Sequence, residues 1–313
     1  RPIPKANQAL IKIDAVSLNH REIWILKNLY PGIVFNSVLG ADGVGKIVEL
    51  NGESSRLKVG DRVVIMPSDG WISSPGGPEV ESEYSIRGGT KSNGVFAQHF
   101  AGNQDDIFKA PAHLTDTEAA ALPLAGLTAY RILFTKGQVR KGQNIFITGI
   151  GGGVALFVLQ FAVAVGANVY VSSSDDTKIE RAIKMGAKGG VNYRKENWHE
   201  ELLKLTNGVQ FDLAVDSANG PNASIILKKI LAQGRALVTY GQAAGPFSFD
   251  INMILRNVSV IGSTMGSRVE FEKMLQFVGE HKIRSVVSEV WEGLEKFPEA
   301  LKAMTQGVQF GKL

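Results

Sequence analysis

The sequence predicts an α/β protein in which a doubly wound parallel sheet is inserted into an irregular β-rich domain. Three observations lead there. From Asn144 to Ile261 short apolar runs alternate with helical patterns, the texture of a parallel sheet covered by helices on both faces. From Arg1 to about Leu114 the runs are short, β-like and divided by turn residues. A length of 313 residues exceeds what one core ordinarily organises, which favours two domains.

In order along the chain, Ala9-Leu-Ile-Lys-Ile13 alternates, Gly43-Val-Gly-Lys-Ile-Val48 leads to the turn pair Asn51-Gly52, and Val59-Gly-Asp-Arg-Val-Val-Ile65 follows. The stretch Ser68 to Asn93, rich in glycine, serine and charge, is expected to be a long surface excursion, with Trp71 either lining a substrate cleft or exposed. At Thr115-Asp-Thr-Glu118 a capping-box pattern introduces the apolar run Ala119 to Ala125 and marks a helix start. Next come a buried-type strand Asn144–Thr148, an apolar helix Ala155–Val165, a strand Asn168–Ser172 and a helix Thr177–Met185 closed by Gly186. Later strands are Phe211–Val215, Arg235–Tyr240 and Val258–Ile261; beyond them the pattern weakens to one amphipathic helix, Glu270–Glu280, and a glycine-punctuated tail. The expected division is therefore 1–118, 119–264 and a return to the first domain over 265–313.

Composition removes whole classes of chemistry. The absence of cysteine excludes disulfides, Fe–S clusters, thiolate zinc sites and cysteine nucleophiles. The histidines, at 20, 99, 113, 199 and 281, have no metal-ligand spacing, so no metal is expected. A net charge of +4 from scattered lysines and arginines gives no basic stripe for nucleic acid. The most apolar run, Val154 to Val165, is broken by Gln160 and falls short of the roughly 20 residues of a bilayer span. A cytoplasmic protein without a membrane segment is expected; the chain opens at Arg1 without methionine or a signal-like stretch, which leaves its native start open.

Chemistry concentrates at Gly149-Ile-Gly-Gly-Gly-Val-Ala155, between the first strand and first helix of the α/β region. A loop with few β-carbons lets backbone approach a pyrophosphate, and the helix behind it offers unpaired N–H groups and a positive dipole end. The register Gly149, Gly152, Ala155 fits this Rossmann use better than the standard Gly-x-Gly-x-x-Gly. About 20 residues on, an NAD site would carry an acidic residue for the ribose 2′-hydroxyl. Here Val171-Ser-Ser-Ser-Asp-Asp-Thr-Lys178 supplies hydroxyls and an ammonium, which suit a 2′-phosphate and select NADPH, although Asp175 and Asp176 stand close by.

These motifs resemble the medium-chain dehydrogenases/reductases, and within them the zinc-free quinone oxidoreductase and enoyl reductase branch. The likeness covers nearly the whole chain: Ser17-Leu-Asn-His-Arg-Glu22, Leu39-Gly-Ala-Asp-Gly43, Val59-Gly-Asp-Arg-Val63, Ala125-Gly-Leu-Thr-Ala-Tyr130, Gly151-Gly-Gly-Val-Ala155, Val191-Asn-Tyr-Arg194 and Gln309-Phe-Gly-Lys312. Gly262-Ser-Thr-Met-Gly-Ser267 is similar to members carrying zinc-type labels. The resemblance implies a Rossmann domain inserted in a GroES-like irregular β-barrel catalytic domain. Zinc-dependent members hold catalytic zinc with Cys, His and Cys; the corresponding positions are Asn19, Ala41 and Ala125. Without a Lewis acid to lower an alcohol's pKa, the implied reaction is hydride transfer to a quinone or an α,β-unsaturated carbonyl compound.

Residue by residue, the resemblance puts Thr128 at the nicotinamide, and Gly152, Gly153 and Val154 at the pyrophosphate. Ser173, Ser174, Lys178 and Tyr193 fall at the 2′-phosphate, Ser217 on the adenine side, and Tyr240 and Gly241 along the nicotinamide ribose. Asn19 would point its amide into the active site. Tyr30 and His20 are the nearest general-acid candidates, water being the other source of the proton. The Val154-Ala155 pair departs from the family's Val-Gly. A homodimer is expected through the strand Val258–Ile261, if it forms a sheet edge.

Other readings compete. A short-chain dehydrogenase needs Tyr-x-x-x-Lys, absent here, and a hydrolase needs Gly-x-Ser-x-Gly, also absent. An alcohol or aldehyde dehydrogenase lacks its zinc ligands, and a nucleotide sensor without turnover is the alternative from another class.

Overall fold

Alternating apolar residues at the start of the chain form β1 (Gln8–Ser17), and α1 (Arg21–Leu26) follows it directly. Then come β2 (Asp42–Asn51), β3 (Arg62–Ile65), β4 (Ser68–Asp69), β5 (Ser85–Ile86), β6 (His99–Asn103) and β7 (Ile107–Lys109). The computed structural model describes residues 1–313 and divides them into two units, Arg1–Leu127 with Met265–Leu313, and Thr128–Thr264.

In the first unit five strands pair antiparallel in the order β6-β1-β2-β3-β7. Register shifts at Leu10/Ile11 and Ile13/Ala15 break the β1–β2 ladder, and such bulges bend and twist a ribbon, giving this sheet its irregularity. Inward-facing Ala9, Ile11, Ile47, Val63, Ile65, Phe100 and Ile107 form its core.

The expectation that Ser68–Asn93 is a surface excursion needs correction. Trp71, Arg87 and Ser92 are buried, and β4 pairs with β5 inside this stretch. Trp71 packs edge-on against Tyr84 at 5.8 Å and donates its indole N–H to the Ser74 carbonyl at 2.8 Å. The polar texture serves the backbone: the Glu79 carboxylate accepts from the N–H groups of Ile72, Ser73 and Ser74, which lowers its pKa to about 2.

Thr115 and Glu118 complete a reciprocal capping box at α2 (Asp116–Ala120), and α3 (Pro123–Tyr130) follows. The second unit contains β8 (Asn144–Ile147), α4 (Gly153–Ala164), β9 (Asn168–Ser173), α5 (Asp176–Lys184), β10 (Gly189–Asn192) and α6 (Trp198–Leu205). It continues through β11 (Phe211–Asp216), α7 (Gly220–Ile225), β12 (Leu231–Thr239), α8 (Ile251–Leu255) and β13 (Ser259–Gly262). All its strand pairs are parallel, in the order β10-β9-β8-β11-β12-β13. The chain therefore winds outward from β8 and then crosses to β11 on its other side. That reversal opens a crevice at the carboxyl ends of β8 and β11, the place where such sheets bind ligands. Phe146, Trp198, Phe211, Leu227, Leu237 and Met253 fill the core beneath it.

The chain returns to the first unit with α9 (Arg268–Glu280), opened by a second capping box from Ser267 and Glu270. The tail is not merely glycine-punctuated: it carries α10 (Phe297–Gln306), with Pro298 in its first turn and Gly307 left-handed after its end. Leu18, Ile23, Ala300, Met304 and Leu313 pack together, tying this return to the end of β1. No helix is long and apolar enough to cross a membrane.

Candidate active site

The candidate residues fall into two clusters, one in each unit. In the second unit, β8 ends at Ile147 and the chain turns through Thr148 to Gly152. Gly149 has φ +61° and Gly151 φ +120°, conformations that side chains rarely adopt. Ile150 is buried and donates its N–H to the Ser172 carbonyl at the end of β9, which pins the bend. Gly152 caps α4 without a side-chain hydrogen bond, and the first turn holds no acidic residue. The N–H groups of Gly153, Val154 and Ala155 are thus left to an outside acceptor at the positive end of a twelve-residue helix. A pyrophosphate fits these donors.

The other cofactor candidates lie along the same sheet edge. Ser173 closes β9 and is buried, its Oγ accepting from the Asp175 N–H at 3.2 Å; Ser174 follows, half-buried. Tyr193 is exposed just past β10 and donates its N–H to the Ser173 carbonyl. Asp175 is the N-cap of α5, its carboxylate accepting from the Thr177 N–H at 2.9 Å and the Thr177 hydroxyl at 2.7 Å, contacts that lower its pKa. Asp175 thus caps α5 through one carboxylate oxygen, and Asp176, the other acid beside this site, accepts from Asn192 Nδ2 at 3.2 Å. Lys178 lies in the first turns of α5, where partial burial and then Arg181 lower its pKa against the opposing pull of Asp175.

Beyond β11, Ser217 places its Oγ 3.8 Å from where a Cβ on Gly149 would be. It also hydrogen-bonds the Tyr240 hydroxyl, whose pKa burial raises to about 12. Gly241 must be glycine, because a Cβ would come within 2.8 Å of the Ser217 carbonyl oxygen. Asp216, which the sequence did not single out, accepts from the Thr148 hydroxyl and from the Asn219 N–H, joining the ends of β8 and β11. Thr128, buried in α3, is the first residue of this unit.

In the first unit the candidates gather around a buried ion pair. Lys312 Nζ donates to the Leu18 carbonyl at 2.7 Å, to Asn19 Oδ1 at 2.5 Å and to Asp42 Oδ2 at 3.0 Å. Asp42, fully buried at the start of β2, also accepts from Asn19 Nδ2 at 2.9 Å and, through Oδ1, from the Leu124 N–H at 2.8 Å. Glu22 accepts from the Asn19 N–H at 2.5 Å, while Arg21 donates to the Arg87 and Gly88 carbonyls and lies 4.7 Å from the Tyr30 ring centre. Asn19, which the resemblance puts in the active site as an amide donor, has its oxygen and one of its amide hydrogens engaged inside the unit. Asp42, Glu22 and Lys312 are functional candidates that sequence reasoning missed.

His20 is exposed and accepts the Trp24 indole N–H on Nδ1 at 3.2 Å, which leaves its proton on Nε2; partial burial, then Lys27, lowers its pKa. A cavity of about 450 Å³ between β1 and Val287–Phe297 is lined by none of these ion-pair residues.

Burial raises the Glu22 pKa from 4.5 to about 7, against the opposing pull of Arg21. Between those values the folded chain holds a proton that the unfolded chain has released. Stability from this group is complete below 4.5 and is lost as pH rises through about 7. Glu22→Gln cannot ionise and is expected to flatten the change by about 3 kcal/mol, read as urea midpoints at about pH 5 and about pH 8. An unaltered pH slope in the variant contradicts the assignment.

Comparison with known proteins finds matches along both parts of the chain. Residues 5–112 match the family model of the alcohol dehydrogenase GroES-like domain, and residues 153–280 that of the zinc-binding dehydrogenase. A zinc-type alcohol dehydrogenase-like protein YogA of Leptosphaeria maculans is 38% identical over 330 residues, covering 100% of this chain and 91% of that one. A zinc-type alcohol dehydrogenase-like protein of Schizosaccharomyces pombe is 32% identical, covering 98% and 90%. Among solved structures, an NAD-dependent alcohol dehydrogenase superposes with a TM-score of 0.89 at 29% identity, covering 99% of this chain and 92% of that one. A putative alcohol dehydrogenase from Sinorhizobium meliloti 1021 gives 0.88 at 30% identity, covering 100% and 92%.

Proposed function

Because the chain belongs to the medium-chain dehydrogenase/reductase superfamily, a family of NAD(P)-dependent oxidoreductases, we propose that it reduces quinones or α,β-unsaturated carbonyl compounds with NADPH and without zinc. One observation carries the reading. Of the three positions that the family resemblance matches to catalytic zinc ligands, Ala41 and Ala125 offer only methyl groups, and Asn19 commits its oxygen to the Lys312 ammonium at 2.5 Å. A zinc ion would find no adequate donor set there and would face a fixed positive charge, so the residues do not fit it.

An alcohol must lose its hydroxyl proton as hydride leaves, and this cluster has nothing to hold the alkoxide as a metal does. A quinone or enone is already electrophilic and asks less of the protein. The nicotinamide supplies the hydride; the chain's own part is to grip the phosphates at Gly152–Val154, hold the 2′-phosphate with Ser173, Ser174 and Lys178, and orient the substrate carbonyl. In this reading the proton comes from water: partial burial, then Lys27, lowers the His20 pKa and makes its imidazolium a less available donor, and burial raises the Tyr240 pKa to about 12.

NADPH consumption against a panel of quinones and enones tests this, with zinc content measured on the same sample. Turnover by protein without stoichiometric zinc is the expected result. One zinc per chain, or oxidation of simple alcohols in place of enone reduction, overturns it; tight NADPH binding with no turnover favours a sensor.

We further propose a cytoplasmic homodimer. The strand β13 ends the sheet order, and Val260 is exposed on it, with Phe249, Ile251, Ile254 and Leu255 exposed just upstream. Light scattering should give twice the 33.7 kDa chain mass, and Val260→Lys with Leu255→Glu should return it to the monomer value. A wild-type monomer removes the proposal.

A further inference from the structure

The carboxyl end of β9 carries two acids, and only one of them is used in capping α5. Asp175 accepts from Thr177. Asp176 lies in sequence between Ser174 and Lys178, both proposed contacts of a 2′-phosphate, and it is exposed. A carboxylate loose at that place works against a phosphate twice: it repels the phosphate, and it accepts from a ribose 2′-hydroxyl as an NAD site does. Where its charge is held therefore bears on which nucleotide binds.

The neighbouring strand holds it. Asn192 ends β10 and pairs in register with Ser173 on β9. Its half-buried carboxamide is engaged at both ends. Oδ1 accepts from the Arg194 N–H at 3.1 Å, while Nδ2 donates to the Ser174 carbonyl at 3.3 Å and to Asp176 Oδ1 at 3.2 Å. These partners fix which end is nitrogen, because a backbone N–H can only donate, and a carbonyl and an ionised carboxylate can only accept. A flipped amide would lose all three bonds and set oxygen against oxygen. The bond to Arg194 is an Asx-turn that bends the chain at Tyr193, whose own N–H donates to the Ser173 carbonyl at 3.1 Å. One side chain thus ties together the turn at Tyr193, the backbone of Ser174 and the Asp176 carboxylate.

We infer that Asn192 is a specificity-determining positioning residue for the dinucleotide: it holds the Asp176 carboxylate toward β10, so that a strand end carrying two acids still accepts a 2′-phosphate. The inference rests on the NADPH reading above. Asn192 acts through Asp176 and Ser174, and no contact of its own with the nucleotide is assigned. An amide carries no net charge, so it leaves Asp176 negative and fixes where that charge sits. A carboxylate at position 192 would do the opposite, since two like charges would push Asp176 away from β10.

The full-length protein allows two independent tests. Calorimetric titration with NADPH and NADH reads the first as a ratio of affinities. Asn192→Ala should lower the preference for NADPH about three- to tenfold, the effect of releasing one carboxylate beside a phosphate in water. Asp176→Asn alone should change the ratio by no more than about twofold, and adding it to Asn192→Ala should restore most of the lost preference. That repair separates a held charge from a merely structural role, which removing the Asp176 charge would not mend. An unchanged ratio in Asn192→Ala, or a loss that Asp176→Asn leaves unrepaired, overturns the inference. The second test needs no nucleotide. Asparagine-selective amide NMR, assigned by Asn192→Ala, should show two separated Asn192 side-chain protons, one of which shifts in Asp176→Ala. Coincident protons that ignore Asp176→Ala mean that the clamp is not formed, and overturn the inference equally. If the wild-type chain binds NADH and NADPH alike, the NADPH reading fails and the specificity role with it, whereas the NMR result still tells whether Asn192 holds Asp176.

Discussion

Asp42→Ala is expected to destabilise the first unit by about 3–5 kcal/mol, because it leaves a buried ammonium without its counter-ion. Lys312 is 6% exposed and Asp42 is its only carboxylate partner. The same carboxylate accepts from Asn19 Nδ2 and from the part-buried Leu124 N–H, so its removal also strands the buried Asn19 donor, at about 1–3 kcal/mol when left unpaired. By contrast, Glu49→Ala removes the partner of Arg1 in an ion pair whose side chains are about half exposed, and should change stability by no more than about 0.5 kcal/mol. Urea unfolding followed by tryptophan fluorescence checks both, since Trp24, Trp71 and Trp291 all lie in the first unit. A loss at Asp42 no larger than that at Glu49 would mean that water reaches the ammonium. The buried-pair account would then be wrong.

The same contrast explains what the sequence disclosed and what it hid. The parallel sheet was readable because each strand and helix signals locally: Asn144–Ile147 is a short apolar run, Gly149 and Gly151 are glycines where φ is positive, and α4 begins where the apolar period changes. The ion pair around Asn19 was not, because Asn19, Asp42 and Lys312 are 23 and 270 residues apart and no period connects them. Ser68–Asn93 misled for a related reason. Its serines, glycines and charges are the composition of a solvated loop, yet Arg87 packs over the Phe100 ring at 4.9 Å and binds Asp69 and the Met66 carbonyl. Only the partners distinguish a buried polar residue from an exposed one, and they lie elsewhere in the chain. The helix α10 was a different kind of miss. Pro298 and Gly307 stand at the ends of Phe297–Gln306 and would have marked it.

Cofactor selectivity carries the second large effect. The end of β9 carries the buried Ser173 and half-buried Ser174, Lys178 follows in the first turn of α5, and Asp175 caps Thr177 through one of its carboxylate oxygens. A 2′-phosphate would bring three acceptor oxygens and a negative charge to a lysine whose pKa partial burial lowers, and would relieve the repulsion from Arg181. Hydrogen bonds to charged groups contribute about 1.5–3 kcal/mol each, so Lys178→Ala and Ser173→Ala should each weaken NADPH binding by about tenfold or more and leave NADH binding unchanged. Ser173→Asp should go further. A carboxylate there repels the phosphate and accepts from a 2′-hydroxyl, reversing the preference. Calorimetric titration of both nucleotides measures all three variants. Equal affinity of the wild-type chain for NADH and NADPH, or a Lys178→Ala variant that weakens both alike, would move the phosphate away from α5 and leave Lys178 as an ordinary helix-surface cation.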